Sequence, residues 1–128
     1  MDDATRRSAG NQVRRAVLGD AHVDRAQSRL TDFNRDFQDF ITRTAWGDVW
    51  QRPGLERKTR SLLTLAMMIA LNREAEFKIH VAGALNNSVS RDEIKEAILH
   101  AAIYCGVPAA NSAMHWAEAA FAAMDADL

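Results

Sequence analysis

The chain has 128 residues, one domain's length, with 16 Lys+Arg against 17 Asp+Glu and a formal net charge of −1. So even a balance argues against nucleic acid as a partner, because wrapping phosphate backbones needs a concentrated excess of cations. One cysteine, Cys105, excludes an internal disulfide, and the longest mostly apolar run, residues 62–71, has half of the roughly 20 residues that span a bilayer.

The start, Met-Asp-Asp-Ala-Thr-Arg-Arg, lacks the apolar stretch of a signal peptide, so a reducing, cytoplasmic setting is expected, with no membrane partner. Abundant alanine beside only 2 prolines and 6 glycines favours helices over hairpins and predicts an all-α fold. Residues 1–20 are polar and Arg-rich. They predict a loosely ordered start over 1–12, then a short helix through Val13, Ala16 and Val17 that Gly19 terminates. The pairs Arg6-Arg7 and Arg14-Arg15 read as a solvated face, with a partner-binding surface as the alternative. A second short helix runs from Asp20 to about Leu30. Thr31-Asp32 then caps a segment in which Phe33, Phe37, Phe40 and Ile41 form one stripe. Gly47, Pro53 and Gly54 punctuate residues 45–55, which predicts a loop rich in functional residue types; Arg52 is extended there because it precedes proline.

Residues 56–71 are apolar on nearly every side, which predicts a helix that is central or buried by a partner subunit. Glu74 to about Leu85 makes the next helix, ending at Asn86-Asn87. Ser90-Arg91-Asp92-Glu93 is a capping box that opens a helix with Ile94, Ala97, Ile98, Ala101 and Ala102 on one face. Gly106 ends that helix, and Val107-Pro108 opens a last one whose face of Ala110, Ala113, Met114, Ala117 and Ala120 permits close packing. No repeat or linker divides the chain, so residues 1–128 are expected to form a single domain.

Chemistry-bearing residues are few. No two of His22, His80, His100 and His115 stand three or four apart and no cysteine pair exists, so no metal is expected; Glu96–His100 and His115–Glu118 are ordinary helix pairs. Serine-hydrolase, P-loop and dinucleotide motifs are absent. Glu76, His80, Gly83 and Asn87 share one helical face. A carboxylate one turn before an imidazole can orient it and raise its pKa, which suits a general acid; the same spacing also fits a plain surface pair. Cys105, ending an apolar helix face, reads as an inert thiol. Trp46 and Trp50 are either packing anchors or, with Arg52, the walls of an anion pocket.

Trp46-Gly47-Asp48-Val49-Trp50, Arg52-Pro53-Gly54-Leu55, Lys58-Thr59-Arg60-Ser61-Leu62, His80, Ala84-Leu85-Asn86-Asn87, Asp92-Glu93-Ile94 and Tyr104-Cys105-Gly106-Val107-Pro108-Ala109-Ala110-Asn111 come in that order without a long insertion. Together they resemble the carboxymuconolactone decarboxylase family, of the alkylhydroperoxidase D-like superfamily, over roughly residues 14–122. The resemblance implies an all-α domain of about six helices, assembled as a homohexamer, that uses no cofactor. It implies loss of CO2 from 4-carboxymuconolactone to give the β-ketoadipate enol-lactone, a step in protocatechuate breakdown. The superfamily's peroxidase branch carries a Cys-x-x-Cys-x-x-x-His motif; counted back from His80, its cysteines would fall at Arg73 and Glu76. Disulfide chemistry thus loses both thiols. A redox member of the superfamily and a non-catalytic hexameric interaction protein are the alternatives. Some relatives have glycine where Ser88 stands.

On this resemblance His80, backed by Glu76, is the candidate proton donor or oxyanion partner. Arg52 is the candidate for carboxylate recognition, since a guanidinium offers two parallel donors. Trp46 is expected to give an apolar wall. Lys58 and Arg60, cations in a first helical turn, invite a compensating anion; substrate carboxylate is one candidate and Glu56 the other.

Overall fold

The computed structural model describes residues 2–127. Those residues form seven α-helices and one π-helical segment joined by short irregular stretches, with no strand. They form two compact units, divided between Arg57 and Lys58.

The first unit holds α1 (Asp3–Leu18), α2 (Asp20–Ser28), α3 (Arg35–Ile41) and a π-helix (Thr42–Val49) that continues α3. α1 begins ten residues earlier than the apolar spacing implies. The Asp2 carboxylate caps it by accepting from the Thr5 amide at 2.7 Å, and Asp3 faces the positive end of the helix dipole. Gly19 ends α1 as expected: its φ of 90° is open to glycine without a Cβ penalty, and its N–H donates to the Arg15 carbonyl.

The expected loop over 45–55 is a correction: residues 45–49 are helical, and the irregular stretch is confined to 50–56. A wide-turn bond from the Trp50 amide to the Ala45 carbonyl at 2.8 Å carries the chain past Gly47. Gly47 serves close packing there instead of breaking the helix. A Cβ on Gly47 would lie 2.5 Å from the Arg6 carbonyl oxygen, and one on Gly10 would lie 2.1 Å from that of Thr42. The two glycines let α1 and the π-helix touch backbone to backbone. Val13, Val17 and Trp46 form the small core beside this contact, with Leu18, Ile41, Ala45 and Trp50 packed around them. Phe33, Phe37 and Phe40 of the expected stripe are exposed; Ile41 alone of that set joins the core.

The second unit contains the body of α4 (Arg57–Ala70), then α5 (Glu74–Asn86), α6 (Arg91–Tyr104) and α7 (Val107–Ala126). Leu65 and Ile69 of α4 join Phe77, Val81 and Ala84 of α5, Ile94, Ile98 and Ala101 of α6, and Ala110, Ala113 and Ala117 of α7 in one core. Each large side chain so buried contributes about 1.5–3 kcal/mol, which stabilises helices that intrinsic propensity alone would leave marginal. Leu63 and Met67, on the other side of α4, and Leu71, just past its end, stay exposed in the single chain. The capping box forms as read: Glu93 N–H donates to Ser90 Oγ at 3.0 Å and Ser90 N–H to Glu93 Oε1 at 2.9 Å. α6 and α7 run antiparallel. Arg91, in the first turn of α6, holds Asp125 near the end of α7 through two hydrogen bonds and lies 4.5 Å over the Phe121 ring. Among the described residues no helix is long and apolar enough to cross a membrane.

Candidate functional site

The first unit carries Trp46 and Arg52. Trp46 is only 6% exposed and stacks on half-buried Trp50, with ring centroids 5.1 Å apart at 27°. It is therefore a packing anchor, and Trp50 is the more accessible face of the pair. Arg52 follows two residues later on the exposed stretch. Its amide donates to the Val49 carbonyl at 3.1 Å, and Pro53 restricts its backbone, so the main chain that carries this side chain is held in place.

The second unit carries Arg60, Glu76 and His80. Glu76 and His80 stand one turn apart on α5, both half-buried, with His80 Nδ1 out of solvent. Glu76 is hydrogen-bonded by Arg73, three residues earlier. That guanidinium first, then Glu76's own amide, and finally the imidazole of His80 hold the carboxyl below its ordinary range, so Glu76 is an anion at neutral pH. Cys105, at the end of α6, is half-buried against the core, and no second cysteine accompanies it.

Arg60 is half-buried near the start of α4, directly before Ser61. Ser61 is fully buried, and its Oγ accepts a hydrogen bond from Nδ2 of Asn87 at 2.9 Å. Asn87 lies two turns beyond His80 at the end of α5, so this bond joins the helix of Arg60 to the helix of His80. Sequence reasoning placed Asn87 on the His80 face but missed Ser61, whose partner stands 26 residues away. Lys58 also finds its anion inside the unit. Its Nζ lies 2.9 Å from Glu93 Oε2, so its counter-charge is the capping carboxylate of α6 and neither Glu56 nor substrate is needed for it.

The arginine pairs of α1 are only partly the solvated face expected. Arg6 binds Asp3 and Asp48, Arg7 binds Asp39, and Arg15 reaches Asp20 and Asp24. Arg14 differs: it is half-buried and its Nε has no acceptor. Helical spacing explains this, since Arg14 follows buried Val13 and sits at the edge of the face that packs inward. Among the described residues no three or more of His, Cys, Asp and Glu gather as a metal site would require.

Residues 35–119 match the model of the carboxymuconolactone decarboxylase family. This chain belongs to that family. It is 54% identical over 121 residues to the 4-carboxymuconolactone decarboxylase of Acinetobacter baylyi, covering 94% of this chain and 90% of that protein. It is 51% identical over 105 residues to the nitrosuccinic acid decarboxylase npaB of Metarhizium robertsii, covering 82% of this chain and 73% of the other. A 4-carboxymuconolactone decarboxylase sequence from Pseudomonas putida is 65% identical over 48 residues, all of that sequence and 38% of this chain. The family match takes in Trp46, Arg52, Arg60, Glu76 and His80, while α1 lies before it.

Proposed function

We propose that this protein is a carboxy-lyase that removes CO2 from 4-carboxymuconolactone without a cofactor, giving the β-ketoadipate enol-lactone. The observation that carries this reading is the 54% identity, over nearly the full length of both chains, with a relative of that name. The Arg73–Glu76 ion pair supports it, because it replaces the two thiols that the redox alternative needs.

The chemistry fits the residues. The leaving carboxylate of this lactone sits on a carbon conjugated through C=C to the lactone carbonyl, so the electron pair left behind has its own sink. What remains for the protein is to hold two carboxylates, stabilise a dienolate oxygen and return a proton to carbon. Arg52 recognises carboxylate through its two parallel donors, with Arg60 as a second cation. His80 delivers the proton or donates to the dienolate oxygen, and ionised Glu76 stands one turn away behind it. Trp46 provides apolar surroundings by backing the more accessible Trp50 ring. The whole of residues 1–128 acts as one functional domain in a homohexameric, cytoplasmic enzyme, and the exposed Leu63 and Met67 of α4, with Leu71 just past its end, fit burial by another subunit.

The nitrosuccinic acid decarboxylase relative favours a second substrate reading. Nitrosuccinic acid also carries two carboxyls, one on a carbon whose nitro group can accept the released electron pair. Purified protein incubated with each acid, with CO2 release followed directly, tests both readings. Fast turnover of 4-carboxymuconolactone is expected; turnover of nitrosuccinic acid alone selects the second reading, and no CO2 from either acid at any pH near neutrality refutes both.

A further inference from the structure

The π-helix comes directly before Trp50 and Arg52, and α1 is what holds it. Arg6, Gly10, Val13 and Val17 follow one another at steps of four, three and four, so they share one face of α1. That face grips the π-helix at three levels. At its start Arg6 donates from Nε and Nη2 to the two carboxylate oxygens of Asp48, at 3.1 and 3.2 Å. In the middle backbone meets backbone: a Cβ on Gly10 would stand 2.1 Å from the Thr42 carbonyl oxygen and 2.8 Å from the Gly47 amide nitrogen. At its end Val13 and Val17 pack with Trp46, whose ring stacks on Trp50. Such wide turns need this support, because they are rare and Gly47 is a poor helix former. Thr42 and Thr44 also turn their hydroxyls onto the carbonyls of Gln38 and Phe40, at 2.8 and 2.7 Å, which loosens the helix ladder there. Tightening one wide turn to an α-turn takes a residue out of it, and so rotates everything beyond by about 100° around the helix axis.

We propose that Gly10 and Arg6 of α1 are positioning residues for substrate recognition: by holding the π-helix in its wide turns they set the direction in which the chain delivers Trp50 and Arg52. The proposal rests on the assignment of Arg52 to the substrate carboxylate. Gly10 and Arg6 act through the main chain and not through contact with substrate. The bond from the Trp50 amide to the Ala45 carbonyl at 2.8 Å, and that from the Arg52 amide to the Val49 carbonyl at 3.1 Å, carry the placement of the π-helix onward to both residues. Their loss therefore weakens binding and leaves the proton step alone, since Glu76 and His80 belong to the second unit.

The test pairs steady-state kinetics on 4-carboxymuconolactone with near-ultraviolet circular dichroism of the Trp46–Trp50 stack, in Gly10→Ala and in Arg6→Ala. Gly10→Ala pushes the Thr42 carbonyl off α1. Arg6→Ala removes only a partly exposed grip, so it carries the test if Gly10→Ala does not fold. Both variants are expected to lose about half of the tryptophan-pair signal and to raise KM about fivefold, with kcat within about twofold of the unsubstituted protein. Placed in an Arg52→Ala background, the same substitutions should change KM by less than about twofold, because the residue they position is gone. A normal KM overturns the proposal, whether or not the tryptophan signal changes. So does an equal rise of KM in the Arg52→Ala background, or a fall in kcat without a rise in KM. Arg52→Ala with an unchanged KM of its own refutes the assignment of Arg52, and the proposal falls with it.

Discussion

Breaking the Ser61–Asn87 hydrogen bond is expected to cost different amounts from its two sides. Ser61→Ala removes one buried oxygen and opens almost no cavity. The Asn87 amide that loses its acceptor is only half-buried and regains water, so the cost is about 1 kcal/mol. Asn87→Ala instead strands a hydroxyl in a fully buried place, where water cannot replace the partner, and costs about 2 kcal/mol. The double variant recovers part of the sum, because no polar atom is then left alone, giving a coupling of about 1 kcal/mol. For a cooperative unit of this size each kcal/mol corresponds to a melting shift of about 4–8 °C, so Asn87→Ala should shift about twice as far as Ser61→Ala. Thermal and urea unfolding of the four proteins measures them. Turnover taken well below the melting range should fall roughly tenfold in both single variants, since the bond sets α4 and Arg60 against the helix of His80. Strictly additive costs, or a larger loss for Ser61→Ala than for Asn87→Ala, would refute the reasoning about burial. Unchanged kcat in destabilised variants would show the bond to be structural only.

His80→Ala is expected to abolish CO2 release while leaving the sedimentation coefficient unchanged; normal kinetics would remove His80 from the reaction. Arg52→Lys should raise KM for the lactone at least tenfold, since a point charge cannot replace a two-pronged donor, and an unchanged KM would move carboxylate recognition elsewhere. Ser88 has φ of 71°, in the left-handed region, so Ser88→Gly should relieve backbone strain and raise stability by about 0.5–1 kcal/mol in urea unfolding. Stability should also fall in two stages on acidification. His22 is held below its ordinary 6.5, first by burial and then by Arg14, Arg25 and Arg29, so its contribution is present above that pH and lost as pH falls below it. Asp39, Glu76, Glu93 and Asp125 are all held below their ordinary values near 4, chiefly by arginine hydrogen bonds or, for Glu93, by the Ser90 amide, so their contributions persist until pH drops through that range. Unfolding free energies measured across acid pH check both stages, and a profile flat from neutrality to about pH 4 would contradict the His22 stage.

Local rules decided most of the helical plan before any packing was considered. The Ser90–Glu93 box, the Gly19 and Gly106 stops and Pro108 in the first turn of α7 all act within a few residues, through caps and allowed φ, and so can be read directly from the chain. The face shared by Glu76, His80 and Asn87 is likewise a matter of helical period. What the sequence could not decide depended on partners distant along the chain. Gly47 reads as a loop signal, yet it is helical, because the backbone of α1 presses against it at Arg6 and Gly10. The anion for Lys58 is 35 positions away on α6, and the partner of Ser61 is 26 away on α5. Glu76 itself answers to Arg73, a choice between two neighbours that spacing leaves open. Arg14 and Arg15 are adjacent and chemically identical, yet Arg15 finds two aspartates while Arg14 is half-buried with its Nε out of solvent. Helical phase, a rotation of about 100° per residue, separates them, and only the packing of α1 against α2 and the π-helix says which direction is inward.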